Sequence, residues 1–280
     1  MKQDCKKNLL IFGSSSIIGE YLLKYLSSHH RVYSSSRRNS DFNFNLVKKN
    51  SKLKFDDEIK LDVVLVLSSI KDARNEYSIE QNILALKKIL DLCLQKNVKK
   101  IIYFSTFFLF DKSIENSYVS YKAECERYFE KFCKSHKLAY TILRLPRLYG
   151  ETLRSLRSQP FIKEILENLL LGERVNLAGK NKISRCFLSY HDLALFLELE
   201  IHDLNSKKIF LQGQTIELEK FINISKKMLN SDSEIRILQN NLNIKSDLKL
   251  QDVNDLSFEI VKHLHEKDMY TLASNINFNE

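Results

Sequence analysis

Leu9-Leu10-Ile11-Phe12-Gly13-Ser14-Ser15-Ser16-Ile17-Ile18-Gly19 is the stretch that decides the fold. Its first half is a short apolar run of the kind a buried parallel strand needs. Beyond the serines, Ile18, Leu22 and Leu26 recur at helical spacing. Between strand and helix stand two of only six glycines in 280 residues. In a chain so poor in glycine, each survivor marks a place where a side chain does not fit. A strand, a glycine-bearing turn and a helix in this order form an opening βα unit, whose helix N-terminus is a ready site for an anion.

Outward from that unit the alternation continues. Short strands are predicted at 31–33 and 42–46, and the apolar run 61–67 reads as a strand buried on both faces. An amphipathic helix over 79–95 carries Ile83, Leu86, Leu90 and Leu94 on one face. A strand at 101–104, a helix over 117–136 and a strand at 139–144 follow, ending before Pro146. This pattern predicts an α/β fold, a Rossmann-type doubly wound parallel sheet over 1–150, with 183–205 returning to it. After Gly150 the rhythm changes to a helix over 160–171, a strand at 174–177, a helix over 192–200, a strand near 209–211 and a helix near 217–229, then an Asn-rich tail. Residues 151–182 and 206–280 are therefore expected to form a small C-terminal α+β region. No internal repeat or low-complexity linker appears.

Composition narrows the function classes. A chain with 44% apolar residues can bury a full core. The net charge is +9, but Lys and Arg are spread over nearly every segment, which argues against a nucleic-acid stripe and still favours anionic ligands such as nucleotides. Five cysteines, an odd number with no C-x-x-C pair, suggest neither a disulfide framework nor a metal site, and fit a reducing cytoplasm. The apolar stretch before Gly13 is too short for a signal segment or a span, so membrane insertion is not expected.

Five blocks in chain order carry a resemblance. The turn Gly13-Ser14-Ser15-Ser16-Ile17-Ile18-Gly19 is similar to G-x-x-G-x-x-G with Ser16 in place of the middle glycine. Ile101-Ile102-Tyr103-Phe104-Ser105-Thr106 looks like a strand ending in S-T, and Tyr118-Val119-Ser120-Tyr121-Lys122 like a Y-x-x-x-K helix. The segments 143–150 and 185–194 resemble L-R-x-x-N-x-Y-G and R-D-F-x-H-V-x-D-L-A. A lone Y-x-x-x-K is cheap in a lysine-rich chain with twelve tyrosines, so position in the series is what gives it weight. Together the blocks resemble the extended short-chain dehydrogenases, the NAD-dependent epimerase/dehydratase family that modifies nucleotide sugars.

That resemblance implies a set of roles. Gly13, Ser15, Ser16, Ile17, Ile18 and Gly19 would cradle a cofactor pyrophosphate, with Ser68, Ser105, Tyr118, Lys122 and Leu145 contacting the rest of the cofactor. Ser16 also suits a helix N-cap, with its hydroxyl near phosphate. Thr106, Tyr118 and Lys122 would form the catalytic set, Thr106 holding the substrate oxygen and Lys122 the ribose. Arg185 and Arg147 would bind substrate, Arg185 through its diphosphate. The C-terminal region would then be the substrate-binding part. A Lys four residues from a Tyr on one helix face is expected to draw the phenol pKa toward neutrality. Tyr121 stands off that face and is expected to pack. Ser36, Arg37 and Arg38 occupy the place after the second strand where an acid selects NAD, so the expected cofactor is NADP, with NAD as the alternative through Asp41.

These readings converge on an oxidoreductase: a reductase of a nucleotide-diphosphate keto sugar. A nucleotide-sugar epimerase or dehydratase that retains NAD is the rival, and a catalytically silent NADP-binding sensor or scaffold is the alternative from another class. The partner is a nucleotide sugar, and the apolar faces of the helices over 79–95 and 117–136 are compatible with a homodimer. Two departures bear on substrate: Arg147 replaces the usual asparagine, and only eleven residues separate Thr106 from Tyr118. His191 and Asp192 are read as structural, the aspartate as a cap for the helix that follows.

Overall fold

The computed structural model describes residues 6–45, 58–68, 76–111, 116–152, 154–178, 183–238, 259–262 and 267–276. In chain order the elements begin with β1 (Asn8–Phe12), α1 (Ile17–Leu26), β2 (Arg31–Ser36), β3 (Phe42–Asn43), β4 (Val63–Val66), α2 (Glu76–Gln95), β5 (Lys100–Thr106), α3 (Ser117–Ser135) and β6 (Ala139–Leu145). They continue with β7 (Arg147–Tyr149), α4 (Pro160–Leu171), β8 (Val175–Ala178), β9 (Ser184–Ser189), α5 (Tyr190–Glu200), β10 (Lys207–Gln212) and β11 (Gln214–Glu217). The last are α6 (Leu218–Met228), β12 (Ile235–Leu238), β13 (Glu259–Lys262) and α7 (Leu272–Asn275).

The chain divides into two compact units. The first, residues 1–145, 194–210 and 255–261, holds an eight-stranded sheet in the order β13-β10-β6-β5-β4-β1-β2-β3. Seven consecutive strands of that order, β10 to β3, pair in parallel, as expected of a doubly wound sheet. From β1 the chain builds outward through β2 and β3 on one side and through β4, β5 and β6 on the other. The order therefore reverses between β1 and β4, the place where open α/β sheets bind their ligands. β4 is buried at every residue and β5 at all seven, which is why both read as continuous apolar runs. α2 turns Asn82, Ala85, Leu86, Ile89, Leu90 and Cys93 inward and α3 turns Tyr121, Cys125, Phe129 and Cys133 inward. Most of the apolar surface offered for a dimer is thus spent in the unit's own core.

The second unit, residues 146–193, 211–254 and 262–280, contains the three-stranded sheet β11-β9-β7 and the pair β12-β8, packed with α4 and α6 over a core that includes Leu166, Phe187, Phe221 and Ile222. Its edges differ from the expected boundaries for a reason visible in the pairing. β7 pairs with β9, Arg147 opposite Phe187, so the chain leaves the first unit at Pro146 and not at Gly150. β10 pairs with β6 from Lys207 to Phe210, and those residues stay with the first unit. Strand β2 runs three residues beyond its predicted end, and there Ser34 and Ser36 find polar partners described below. The predicted strand 42–46 is described only as Phe42–Asn43 and reaches past the described residues, as does the Asn-rich tail.

One buried ion pair anchors the start of β5. Lys100 is wholly buried, and its ammonium donates to Glu200 Oε1 at 2.5 Å, to the Glu200 carbonyl at 3.0 Å and to the Asp203 carbonyl. Thr141 on β6 donates to the same Glu200 carboxylate at 2.6 Å. Burial pushes the Lys100 pKa down, and the Glu200 contacts oppose that shift. Lys100→Met removes the buried cation from the Glu200 carboxylate and leaves it with the partly exposed Lys207 at 3.3 Å. In urea unfolding it should cost about 3–5 kcal/mol, part of which Glu200→Gln added in the same chain should restore.

Candidate active site

The turn after β1 is shaped by two missing side chains. Gly13 has φ +91°, and a Cβ there would lie 2.9 Å from the Ser68 amide nitrogen. A Cβ on Gly19 would lie 2.3 Å from the Gly13 carbonyl oxygen and 2.8 Å from Ser14 Cα. The first turn of α1 therefore rests directly on the backbone of the turn before it. Ser16 is the N-cap of α1: its Oγ accepts from the Gly19 amide at 3.0 Å and donates to the Gly13 carbonyl at 2.8 Å. This corrects the expectation of a hydroxyl aimed at phosphate, since the Ser16 proton is spent inside the turn. What the turn offers an anion is backbone: Ser15 is exposed, and the amides of Ile17 and Ile18 lie in the first helical turn, where the helix has no acceptor for them.

Three hydroxyls at the carboxyl ends of strands on either side of β1 have no hydrogen-bond partner among the described residues. They are Ser35 Oγ on β2, Ser68 Oγ just beyond β4 and Ser105 Oγ on β5. Unsatisfied buried hydroxyls are costly, and a row of them beside a glycine turn suits a polyhydroxylated ligand lying along the crevice. Ser68 and Ser105 are expected from the sequence. Ser35 is not, because a serine inside a strand carries no signal of its own. Asn82 is a second residue missed. It is a buried amide on the apolar face of α2, lining a cavity of about 10 Å³ with Ser68, Tyr103 and Cys125. An asparagine at a helix position otherwise patterned for the core was the available cue.

At the end of β2, Arg37 and Arg38 are exposed, and Ser36 Oγ donates to the Arg38 carbonyl at 2.6 Å. Asp41 is turned the other way. Its Oδ2 accepts from the Ser34 amide at 2.7 Å and the Ser34 hydroxyl at 2.8 Å, so it stands bound to its own strand.

Thr106 ends β5, opposite Leu145 in the register, and its Oγ1 accepts the Phe108 amide at 3.3 Å, capping the 3₁₀ turn Phe107–Phe110. Tyr118 lies in the first turn of α3, which Asn116 caps through the Val119 amide at 2.9 Å. The Thr106 side chain stands beside the Tyr118 phenol, close enough to draw its pKa down. Lys122, one helical turn on, is 5% exposed, and its Nζ donates to the Phe104 carbonyl of β5 at 2.8 Å while lying 5.2 Å above the Tyr103 ring. Glu126, a further turn along, takes Arg144 of β6 through two bonds of 3.1 and 2.9 Å. Two buried cations thus hold α3 against the sheet and Tyr118 beside Thr106. Tyr121 is fully buried, as expected of a packing residue.

The phenol pKa differs in sign from the sequence expectation. Burial pushes Tyr118 above its ordinary value, the bond with Thr106 offsets part of that shift, and Lys122 is not among the groups that move it. The ammonium is held at the Phe104 carbonyl instead.

In the second unit, Arg147 stands opposite Phe187 in the β7·β9 register, and Arg185 lies two residues before Phe187, so both guanidinium groups belong to one face of the small sheet. Arg185 Nη1 donates to the Ser184 carbonyl at 3.1 Å. The cap of α5 is Ser189, not Asp192: the Asp192 amide donates to Ser189 Oγ at 2.9 Å, and that hydroxyl donates back to the Asp192 carboxylate at 2.6 Å. Among the described residues no helix is long and apolar enough to cross a membrane, and no cluster of three His, Cys, Asp or Glu forms a metal-binding group.

A parallel doubly wound sheet, a glycine turn at its switch point and a helix N-terminus above that turn define a dinucleotide-binding protein. The sequence profile of the NAD dependent epimerase/dehydratase family matches residues 9–209, and the chain belongs to that family, whose cofactor is NAD(P). Among curated proteins it is similar to dTDP-D-glucose 4,6-dehydratase of Dictyostelium discoideum, at 24% identity over 80% of this chain. It spans only 62% of that relative's length. Among solved structures it resembles a UDP-N-acetylglucosamine 4-epimerase from Methanobrevibacter ruminantium M1 in complex with UDP-N-acetylmuramic acid (TM-score 0.71, 20% identity, 96% and 97% of the two chains). It also resembles MlghC, a GDP-mannoheptose C4 reductase from Campylobacter jejuni with NADP bound (TM-score 0.69, 16% identity, 90% and 96%). At these identities the structural likeness speaks to fold.

The close approach at Gly13 sets the first test of the cofactor turn. Gly13→Ala places a Cβ against the Ser68 backbone at a positive φ, so it should lower unfolding free energy by at least about 1–3 kcal/mol in thermal or urea denaturation.

Proposed function

We propose that this chain is an NADPH-dependent reductase of a keto sugar carried on a nucleoside diphosphate, with Tyr118 as proton donor. The observation that carries the reading is the placement of Tyr118, in the first turn of α3, beside Thr106 at the carboxyl end of β5. Bound NADPH would supply the hydride, and Gly13, Ser15, Ile17, Ile18 and Gly19 would hold its pyrophosphate, with Ser16 closing the turn beneath. Ser68, Ser105 and Leu145 would line the rest of the cofactor site. Ser36, Arg37 and Arg38 would meet the adenosine end, where exposed guanidinium groups suit a 2′-phosphate.

The proton chemistry follows from burial. A phenol raised above its ordinary pKa is fully protonated at neutral pH and can donate to an oxygen that gains negative charge as a carbonyl is reduced. Thr106 orients the phenol, leaving the phenol's own proton to be donated to the substrate oxygen. Lys122 acts through position, holding α3 on β5, and the ammonium beneath the site is its reserve for ribose hydroxyls. Arg147 and Arg185, on one sheet face, support recognition of the diphosphate. The buried, unbridged thiols of Cys93, Cys125, Cys133 and Cys186 fit a reaction in a reducing cytoplasm.

Tyr118→Phe should lower NADPH oxidation with nucleoside-diphosphate keto sugars by about 10²–10⁴-fold while leaving NADPH affinity within about twofold. Unchanged turnover in that variant sinks the catalytic assignment and turns the reading to a cofactor-binding protein without turnover. Protein purified with NAD already bound turns it to an epimerase.

The sign of the pH dependence gives an independent check. Tyr118 donates only while protonated, so activity should fall as pH rises through its raised pKa. Thr106→Val removes the bond that draws that pKa down. The alkaline limb of the kcat profile should therefore move to higher pH in the variant, even as the rate falls.

A further inference from the structure

Arg37 and Arg38 sit on a turn that is tied down from both ends. On one side, Asp41 Oδ2 accepts from the Ser34 amide at 2.7 Å and from the Ser34 hydroxyl at 2.8 Å, and Ser34 Oγ accepts the Asp41 amide at 3.0 Å. On the other, Ser36 Oγ donates to the Arg38 carbonyl at 2.6 Å and the Ser36 amide donates to Ser40 Oγ at 3.0 Å. Ser40 in turn donates toward the Phe42 carbonyl at 3.0 Å and Asn43 Oδ1 at 3.2 Å. Asn39 sits at φ +53°, a conformation its side chain tolerates better than most. Ser34 and Ser36 are buried, while Arg37 and Arg38 are exposed. The side chains of Ser34, Ser36, Ser40 and Asp41 are thus bonded within the turn itself, while those of the two arginines are exposed.

We infer that this Ser34–Ser36–Ser40–Asp41 clamp is the device that sets cofactor choice, with Asp41 as a positioning residue for a receptor of the 2′-phosphate formed by Arg37 and Arg38. The inference rests on the NADPH reading above. Asp41 is the sole carboxylate between residues 31 and 45. Left free at the end of β2, it would accept ribose hydroxyls and repel a phosphate. Bound back to Ser34 through Oδ2, it is held away from the role of ribose acceptor, and its carboxylate instead fixes the turn that bears the arginines. One acid removes the NAD-type acceptor and builds the NADP-type donor pair in the same act.

The sign of one measurement separates positioning from plain electrostatics. Neutralising a carboxylate near a phosphate site would, by charge alone, strengthen phosphate binding. If Asp41 positions the turn, Asp41→Asn weakens it. The probes are 2′,5′-ADP and 5′-ADP, titrated calorimetrically against the full chain, with thermal unfolding run on each variant. Asp41→Asn and Ser34→Ala are expected to weaken 2′,5′-ADP about tenfold, the weight of about 1.4 kcal/mol, and to leave 5′-ADP unchanged. Ser40→Ala, at a partly exposed position on the other arm of the clamp, should act in the same direction if the first two variants fold poorly. Arg37→Ala with Arg38→Ala should abolish the preference for 2′,5′-ADP.

Each remaining outcome counts against a stated part. Loss of preference in the arginine variant with none in the three clamp variants overturns the clamp and keeps the NADPH reading. Stronger 2′,5′-ADP binding by Asp41→Asn overturns positioning in favour of charge. A native chain that binds the two probes equally overturns the NADPH reading and the clamp with it.

Discussion

The 2.3 Å that would separate a Gly19 Cβ from the Gly13 carbonyl is the constraint on which the cofactor turn depends. Only a residue without a side chain lets α1 start directly on the turn, and only that closeness brings its first amides to the end of β1. Gly13 contributes the second half of the constraint, at a positive φ and against the Ser68 backbone. The middle position asks for neither. Ser16 has φ −76° and ψ 156°, an ordinary extended conformation, and its hydroxyl bridges Gly13 and Gly19. The motif therefore loses its second glycine without loss of shape, because a hydroxyl occupies a place where no backbone has to pass.

From that turn the site extends along the sheet by a different kind of force. Lys122 and Arg144 are both buried, and burying a charge costs more than its pairing returns unless the geometry is good. Here the geometry is spent on register. Lys122 fixes α3 to the Phe104 carbonyl of β5, and Arg144 fixes the next turn of the same helix to β6 through Glu126, with the Phe110 ring 4.4 Å from its guanidinium. A helix held by two buried cations one turn apart cannot slide or roll. Tyr118, at its start, is consequently fixed with respect to Thr106.

How much of this was legible beforehand follows the range of the interactions. The strand runs near 63 and 101, the helix Pro160–Leu171 and the motif turn are readable because they depend on residues close in sequence. The end of β2 did not read as strand, since Ser34 and Ser36 are supported by Asp41 and Ser40 across the next turn. Nothing in the local sequence sets Lys100 apart from Lys99 beside it, and its partner Glu200 lies a hundred residues away. The unit boundary depended on β7 finding β9, a pairing that leaves no local mark. The Tyr118 pKa failed for a related reason: spacing brings Lys122 to the right face of a helix, but only the fold shows that its ammonium ends at a carbonyl.

Thr106 shows what the short connection to α3 changes. The bond that caps Phe107–Phe110 makes its Oγ1 an acceptor, which leaves its own proton to be donated. That donation lowers the Tyr118 pKa against the pull of burial. The chain of donors runs from the Phe108 amide through the Thr106 hydroxyl to the phenol, each step polarising the next. Phe107 and Phe108 meet at 4.6 Å and Phe110 packs on Phe210 at 5.5 Å, so aromatic packing holds the turn that supplies the first donor. A longer loop would have to recreate that turn to keep the same control. The brevity of the segment thus ties the acidity of Tyr118 to the packing of Phe107, Phe108, Phe110 and Phe210.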